Sequence, residues 1–135
     1  MKRVFLDANV LFTAAHNPSG KAALVIALGV KGKWEVVSSS YAAEEARRNI
    51  ALKFPQSQSR LQVLIDSISI NASGSGADCP VKLPEKDRPI MEAAIRARAT
   101  HLLTGDLREF GALMNKPRQT AGIVIQTVAE FLSSL

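Results

Sequence analysis

Val4-Phe5-Leu6-Asp7 near the start of the chain and Leu102-Leu103-Thr104-Gly105-Asp106 far along it share one pattern: a short apolar run that leads to an aspartate. An unbroken apolar run without polar alternation marks a strand buried on both faces, as in a parallel sheet covered by helices. Each aspartate then leaves the carboxyl end of its strand. In open parallel sheets that rim is where ligands sit.

Working outward from these two runs, strand-like and helix-like segments take turns. Ala22–Val30 is apolar almost all round and reads as a buried helix, and Trp34–Val37 reads as a second strand. Ser38-Ser39-Ser40 offer capping hydroxyls to a helix running to about Lys53. Pro55 opens another helix, with Leu61, Leu64, Ile65 and Ile68 on one face. A third strand falls either at Ile68–Ile70 or at Ala77–Val81. Pro89–Ala99 is a helix with Ile90, Ala93, Ala94 and Ala97 at helical spacing. His101–Thr104 is a strand, Leu107–Met114 a helix, Ile123–Ile125 the last strand and Val128–Leu132 a closing helix. This alternation predicts an α/β fold: a three-layer α/β/α sandwich about a central parallel sheet of four or five strands. No repeat or linker divides it, so residues 1–135 read as one domain; Asn71–Pro80, rich in Ser, Gly and Ala, is the loosest stretch.

Composition narrows the class. With 47% hydrophobic residues in 135, the chain can build a core without staples. Cys79 is the only cysteine, which excludes a disulfide scaffold. The longest apolar run, Ala22–Val30, falls far short of the roughly 20 residues a membrane span needs. Asp7 interrupts any signal-peptide core, so a cytoplasmic location and no membrane contact are expected.

Four places hold acids where such a sheet puts its active site: Asp7, Asp106, Asp87 ahead of Pro89, and Glu44 or Glu45 in the first turns after the serine run. Each also has a plain structural use. Asp7 with Asn9 suits a turn. Asp87 suits a cap for the helix that Pro89 begins. Asp106 with Glu109 fits a capping box. Glu44 and Glu45 can pair with Arg47 and Arg48 along their helix. Together the acids say more, because caps do not require all four elements to share one rim.

Clustered carboxylates raise one another's pKa, and a divalent cation removes that penalty. Hard oxygen donors select Mg²⁺ or Mn²⁺. No soft site competes: Cys79 is alone, His101 begins an apolar strand and reads as structural, and His16 reads as part of a polar turn. The chain carries 17 Lys and Arg against 12 Asp and Glu. Setting Asp7, Glu45, Asp87 and Asp106 aside leaves 8 acids against those 17, an acidic pocket in a basic body. That combination suits a phosphodiester substrate. Arg47, Arg48, Arg88 and Arg108 lie close in sequence to the acids and are candidate phosphate contacts.

At this point the residues resemble a family. Val4-Phe5-Leu6-Asp7-Ala8-Asn9-Val10-Leu11-Phe12 looks like the opening strand and turn of PIN-domain nucleases, and Leu103-Thr104-Gly105-Asp106 like their late signature. Ser40–Asn49 resembles the helix that carries the family's glutamate, and Asp87 with Pro89–Ala94 its third acidic position. Gly122–Ile125 followed by Glu130-Phe131-Leu132 is similar to the closing strand and helix. The resemblance to VapC-like bacterial ribonucleases covers essentially the whole chain. It implies Mg²⁺- or Mn²⁺-dependent cleavage of RNA, mostly single-stranded, and in many relatives a small antitoxin partner. It implies Asp7, Asp87 and Asp106 as metal ligands and Glu45 as the further catalytic acid, with Glu44 the alternative. Asn9 and Thr104 would be polar supports. Leu107 and Arg108 follow Asp106 where many relatives have another acid or polar group, and Glu109 comes third.

Two other readings compete. A phosphoacceptor signalling module would want a close acidic pair early in the chain and a late lysine; only Asp7 stands early. A non-catalytic RNA-binding or regulatory domain on the same fold is the stronger alternative, since fold does not fix function. The apolar faces of Ala22–Val30 and of Leu61, Leu64, Ile65 and Ile68 exceed what a small core readily hides, and with the resemblance they predict a homodimer.

Overall fold

The computed structural model describes residues 1–72 and 79–135. At its centre is β1 (Arg3–Leu6), where Val4, Phe5 and Leu6 are wholly buried, as the unbroken apolar run requires. The chain continues through α1 (Ala8–His16), α2 (Lys21–Val30), β2 (Glu35–Ser39), α3 (Ser40–Lys53), α4 (Gln58–Asp66) and β3 (Ser69–Asn71). It then forms α5 (Arg88–Arg96), β4 (His101–Leu103), α6 (Leu107–Phe110), β5 (Val124–Gln126) and α7 (Val128–Ser133).

The five strands are ordered β3-β2-β1-β4-β5. Every pairing is parallel, with Phe5 beside Val37 on one flank and Leu102 on the other. The chain therefore leaves β1 in one direction along the sheet and returns to build β4 and β5 in the other. Right-handed crossovers put α1–α4 on one face and α5 and α6 on the opposite face. Between β1 and β4 the direction of winding reverses, and a crevice opens above their carboxyl ends.

Several elements differ from the sequence expectation. Asp7 and Asn9 do not make a simple turn; α1 starts at once, and Val10, Leu11, Ala14 and Ala15 bury its inner face. His16 is the last residue of that helix, not part of a polar turn, and its ring stacks on Phe54 with centroids 3.8 Å apart. The third strand is Ser69–Asn71. Of the alternative at Ala77–Val81, residues 77 and 78 lie outside the described residues, and 79–81 form no strand. The helix after Asp106 stops at Phe110 and gives way to a 3₁₀ turn at Gly111–Leu113. There the chain swings back so that the Asn115 N–H donates to the Ile125 carbonyl at 2.8 Å.

The apolar stretches are mostly absorbed by the core. Ala22, Val25 and Ile26 of α2 and Leu61 and Ile65 of α4 are buried, while Leu24, Val30 and Val63 stay exposed. α2 lies so close to β2 that a Cβ on Gly29 would stand 2.4 Å from Val36 Cγ2. Trp34 closes this corner: its indole N–H donates to the Val25 carbonyl at 3.0 Å and its ring meets Phe131 edge-on.

The serine run divides its labour. Ser38 ends inside β2 and its buried hydroxyl donates to the Leu6 carbonyl at 2.8 Å, locking the rim of β2 to that of β1. Ser39 is the N-cap of α3, its Oγ accepting the Ala42 N–H at 3.1 Å. Removing the buried Ser38 hydroxyl should lower stability by about 1–2 kcal/mol. Urea unfolding of Ser38→Ala should show a lower midpoint at an unchanged slope.

Candidate functional site

Asp7 directly follows β1 and caps α1. Its Oδ1 accepts the Ala8 N–H at 2.7 Å. Its Oδ2 accepts the Thr104 hydroxyl at 2.7 Å and the Asn9 side-chain N–H at 3.2 Å. Thr104 therefore spans the crevice from the end of β4, and its oxygen also accepts the Asp106 N–H at 3.0 Å. Asn9 completes the brace, its Oδ1 accepting the Gly105 N–H at 2.8 Å. These bonds fix the turn after β4 to the start of α1.

Asp7 is only 4% exposed. Burial pushes its pKa from 3.8 up to about 6; the Thr104 and Ala8 hydrogen bonds oppose the rise, and the charges of Glu45 and Asp87 add to it. Asp87 is buried as well, just before α5. Its side chain makes no cap bond to the helix, and among the described residues its Oδ2 has no hydrogen-bond partner. Burial raises its pKa, Lys86 opposes the rise, and Asp106, Glu109 and Glu45 reinforce it.

The remaining candidates separate by helix phase. Ala42, Ala43, Ala46 and Ile50 bury one face of α3. Glu45 flanks that face, half-buried and within electrostatic reach of Asp7 and Asp87. Glu44 is exposed and pairs with Arg47 at 3.6 Å. Arg47 also donates to Gln62 at 3.3 Å, and Arg88 pairs with Glu92 at 3.7 Å. Asp106 caps α6 by accepting the Glu109 N–H at 3.2 Å, and Glu109 lies within electrostatic reach of Asp87. Arg48 and Arg108 are exposed. His101 packs edge-on against Phe131, a structural role.

The structure thus brings Asp7, Glu45 and Asp87 into mutual electrostatic reach, with Asp106 and Glu109 beside Asp87. All donors are carboxylate or other hard oxygens, and one buried carboxylate oxygen is unsatisfied; this chemistry fits a hard divalent cation. Among the described residues, no three His, Cys, Asp or Glu side chains lie close enough together to coordinate one ion as they stand. Sequence reasoning missed Tyr41. It lies one helical turn before Glu45, and its hydroxyl donates to the Lys86 carbonyl at 2.9 Å. No sequence signal marked it, because its partner is a backbone carbonyl.

A family model described as PIN domain matches residues 3–108, a span that contains all four proposed acids. The chain belongs to the PIN domain family. No curated protein matches it in sequence. The similar solved structures share its fold across nearly all of their length. A chain of VapBC2 from Rickettsia felis, bound to a DNA fragment from their promoter, is 16% identical with a TM-score of 0.66; the match covers 93% of this chain and 98% of that one. A chain of DNA-bound VapBC from Salmonella typhimurium is 15% identical with a TM-score of 0.66, covering 95% and 99%. A chain of VapBC-1 from nontypeable Haemophilus influenzae is 15% identical with a TM-score of 0.58, covering 94% and 98%. No helix among the described residues of this PIN domain is long and apolar enough to cross a membrane.

The buried acids make the metal-free PIN domain pH-sensitive. Since the Asp7 pKa rises on folding from 3.8 to about 6, folding takes up a proton in that window, and stability falls as pH rises through it. Asp7→Asn removes this loss. Thermal melts in EDTA should show Asp7→Asn stabilised at pH 7 by up to about 3 kcal/mol. The gain should nearly vanish at pH 4. Equal effects at both pH values would show that the carboxylate charge is not opposed by its surroundings.

Proposed function

We propose that this PIN domain is a metal-dependent endoribonuclease that hydrolyses RNA phosphodiester bonds, preferentially in single strands. The observation that carries the reading is the unpartnered Asp87 Oδ2, buried beside the equally buried Asp7 at the rim of the sheet. A buried carboxylate oxygen without a hydrogen bond, crowded by other acids, is a liability in a purely structural domain. It is an asset where a divalent cation is to be held.

Asp7, Asp87 and Asp106 are the proposed ligands of Mg²⁺ or Mn²⁺, with Glu45 positioned to hold or orient the attacking water. When bound, such an ion supplies charge that activates water and offsets the negative charge growing on the phosphodiester. The chain's own groups do the positioning. Thr104 and Asn9 hold the Asp7 carboxylate in one orientation, and Glu109 adds negative potential on the Asp87 side. Arg108 is exposed beside Asp106 and, among the described residues, makes no ion pair such as the one that engages Arg47, which favours Arg108 as the phosphate contact. The basic excess of the remaining surface draws the polyanion in.

The test is cleavage of a varied RNA pool in Mn²⁺ by wild type, Asp7→Asn and Asp106→Asn, with EDTA as the stop. Loss of either proposed ligand should remove most turnover, by two orders of magnitude or more on the scale of about 10²–10³ seen when a preorganised charge-stabilising group is deleted. Arg108→Ala should weaken RNA binding and flatten its salt dependence by about one unit of slope. Identical cleavage patterns in all three proteins would assign the activity to a contaminant and favour the non-catalytic RNA-binding reading.

The proposal extends to regulation and assembly. The solved relatives are VapBC assemblies, which supports a small antitoxin protein as the partner that holds the activity in check. The exposed Leu24 and Val30 of α2 and Val63 of α4 support a homodimer. Sedimentation at micromolar concentration should show the dimer; Leu24→Lys should shift it toward monomer if α2 forms the contact. A monomer throughout that range would remove the dimer from the reading.

A further inference from the structure

Asp87 faces a problem that its own side chain does not solve. It is buried, it stands near other carboxylates, and its Oδ2 lacks a partner. Repulsion and desolvation both favour swinging it out to water. It does not cap the helix that follows it. Its position must therefore be imposed through the backbone.

The local backbone does part of this. The N–H groups of Asp87 and Arg88 both donate to the Pro84 carbonyl, at 2.9 and 3.2 Å, which closes a tight turn. Those bonds shape the turn but do not anchor it to the rest of the rim. Tyr41 does. Its hydroxyl donates to the Lys86 carbonyl at 2.9 Å, from α3, 45 residues away in sequence. The ring is half-buried, one turn before Glu45 on the same helix. Burial raises the tyrosine's own pKa, and the charges of Glu45, Asp87 and Asp7, close to it, add to the rise.

We propose that Tyr41 is a positioning residue that ties the Asp87 turn to the Glu45 helix and so holds the Asp87 carboxylate, a proposed metal ligand, in place at the rim. This rests on the metal-site reading above. The neighbouring roles are different ones: Thr104 and Asn9 orient Asp7 across the β1–β4 crevice, whereas Tyr41 fixes the opposite wall of the pocket. The role assigned to Tyr41 acts through the Lys86 carbonyl that its hydroxyl holds.

Tyr41→Phe deletes the bond and keeps the ring. The comparator is Trp34→Phe, which removes a buried side-chain hydrogen bond at the corner of α2 and β2, away from the acids. Both variants and wild type are stripped of metal, and Mn²⁺ uptake is followed by loss of the free-ion electron paramagnetic resonance signal. Amide hydrogen exchange is measured in EDTA. Tyr41→Phe should weaken Mn²⁺ binding by about 10-fold or more, the range seen when groups that orient metal ligands are lost. It should speed exchange at the Asp87 and Arg88 amides while the central strands stay protected. Its Tm in EDTA should fall by only a few degrees. Trp34→Phe should lower Tm and leave Mn²⁺ affinity unchanged. Wild-type uptake with equal affinity in Tyr41→Phe overturns the role of Tyr41 and leaves the metal site standing. Unchanged exchange at Asp87 and Arg88 overturns the tether itself. If wild type takes up no Mn²⁺, the metal site falls and the role of Tyr41 in it falls too.

Discussion

A carboxylate withheld from water at the junction of two central strands is the constraint around which this molecule is organised. Asp7 could not remain buried without the Ala8 N–H, the Thr104 hydroxyl and the Asn9 amide on its two oxygens. Those three donors come from both sides of the β1–β4 crevice, so satisfying Asp7 also fixes the crevice. Thr104 can serve only because β4 lies parallel to β1 in the register that pairs Leu6 with Leu103. The hydrogen bonds to Asp7 offset its desolvation in part; burial, with the neighbouring acids adding to it, still raises the pKa of Asp7 and of Asp87.

The parallel sheet makes such a site possible. Strand carboxyl ends and the helix starts that follow them lie on one rim, so residues widely separated in sequence meet without special loops. Asp7 and Asp106 arrive from strand ends, Glu45 from the second turn of α3, and Asp87 from the turn before α5. The reversal of winding between β1 and β4 opens the rim at the point where Asp7 sits. A sheet with no such reversal would cover that point with a crossover.

Much of this was legible in the sequence because strands buried on both faces must be apolar without alternation. Val4-Phe5-Leu6, His101–Thr104 and Ile123–Ile125 announce themselves that way. Ser69–Asn71 does not: it is a short edge strand, only partly buried, and its composition competes with a nearby stretch that reads as well. α1 was hidden because Asp7 and Asn9 are turn formers, and only the tertiary burial of Val10, Leu11, Ala14 and Ala15 decides for a helix. The choice between Glu44 and Glu45 is a matter of helix phase, set by which alanines the core takes. The acids were visible as residue types in a pattern. Tyr41 was not, because its bond ends on a backbone carbonyl whose position depends on a turn that no side chain identifies.

The two edges of the sheet, β3 and β5, are each three residues long. Edges that short present few free N–H and C=O groups, so strand addition is a poor route for another chain to join this one. A protein that engages this PIN domain must read side chains on helices and loops. Recognition of that kind is encoded in surface identity alone. Substitutions on exposed helices and loops can therefore alter such recognition without touching the buried strands.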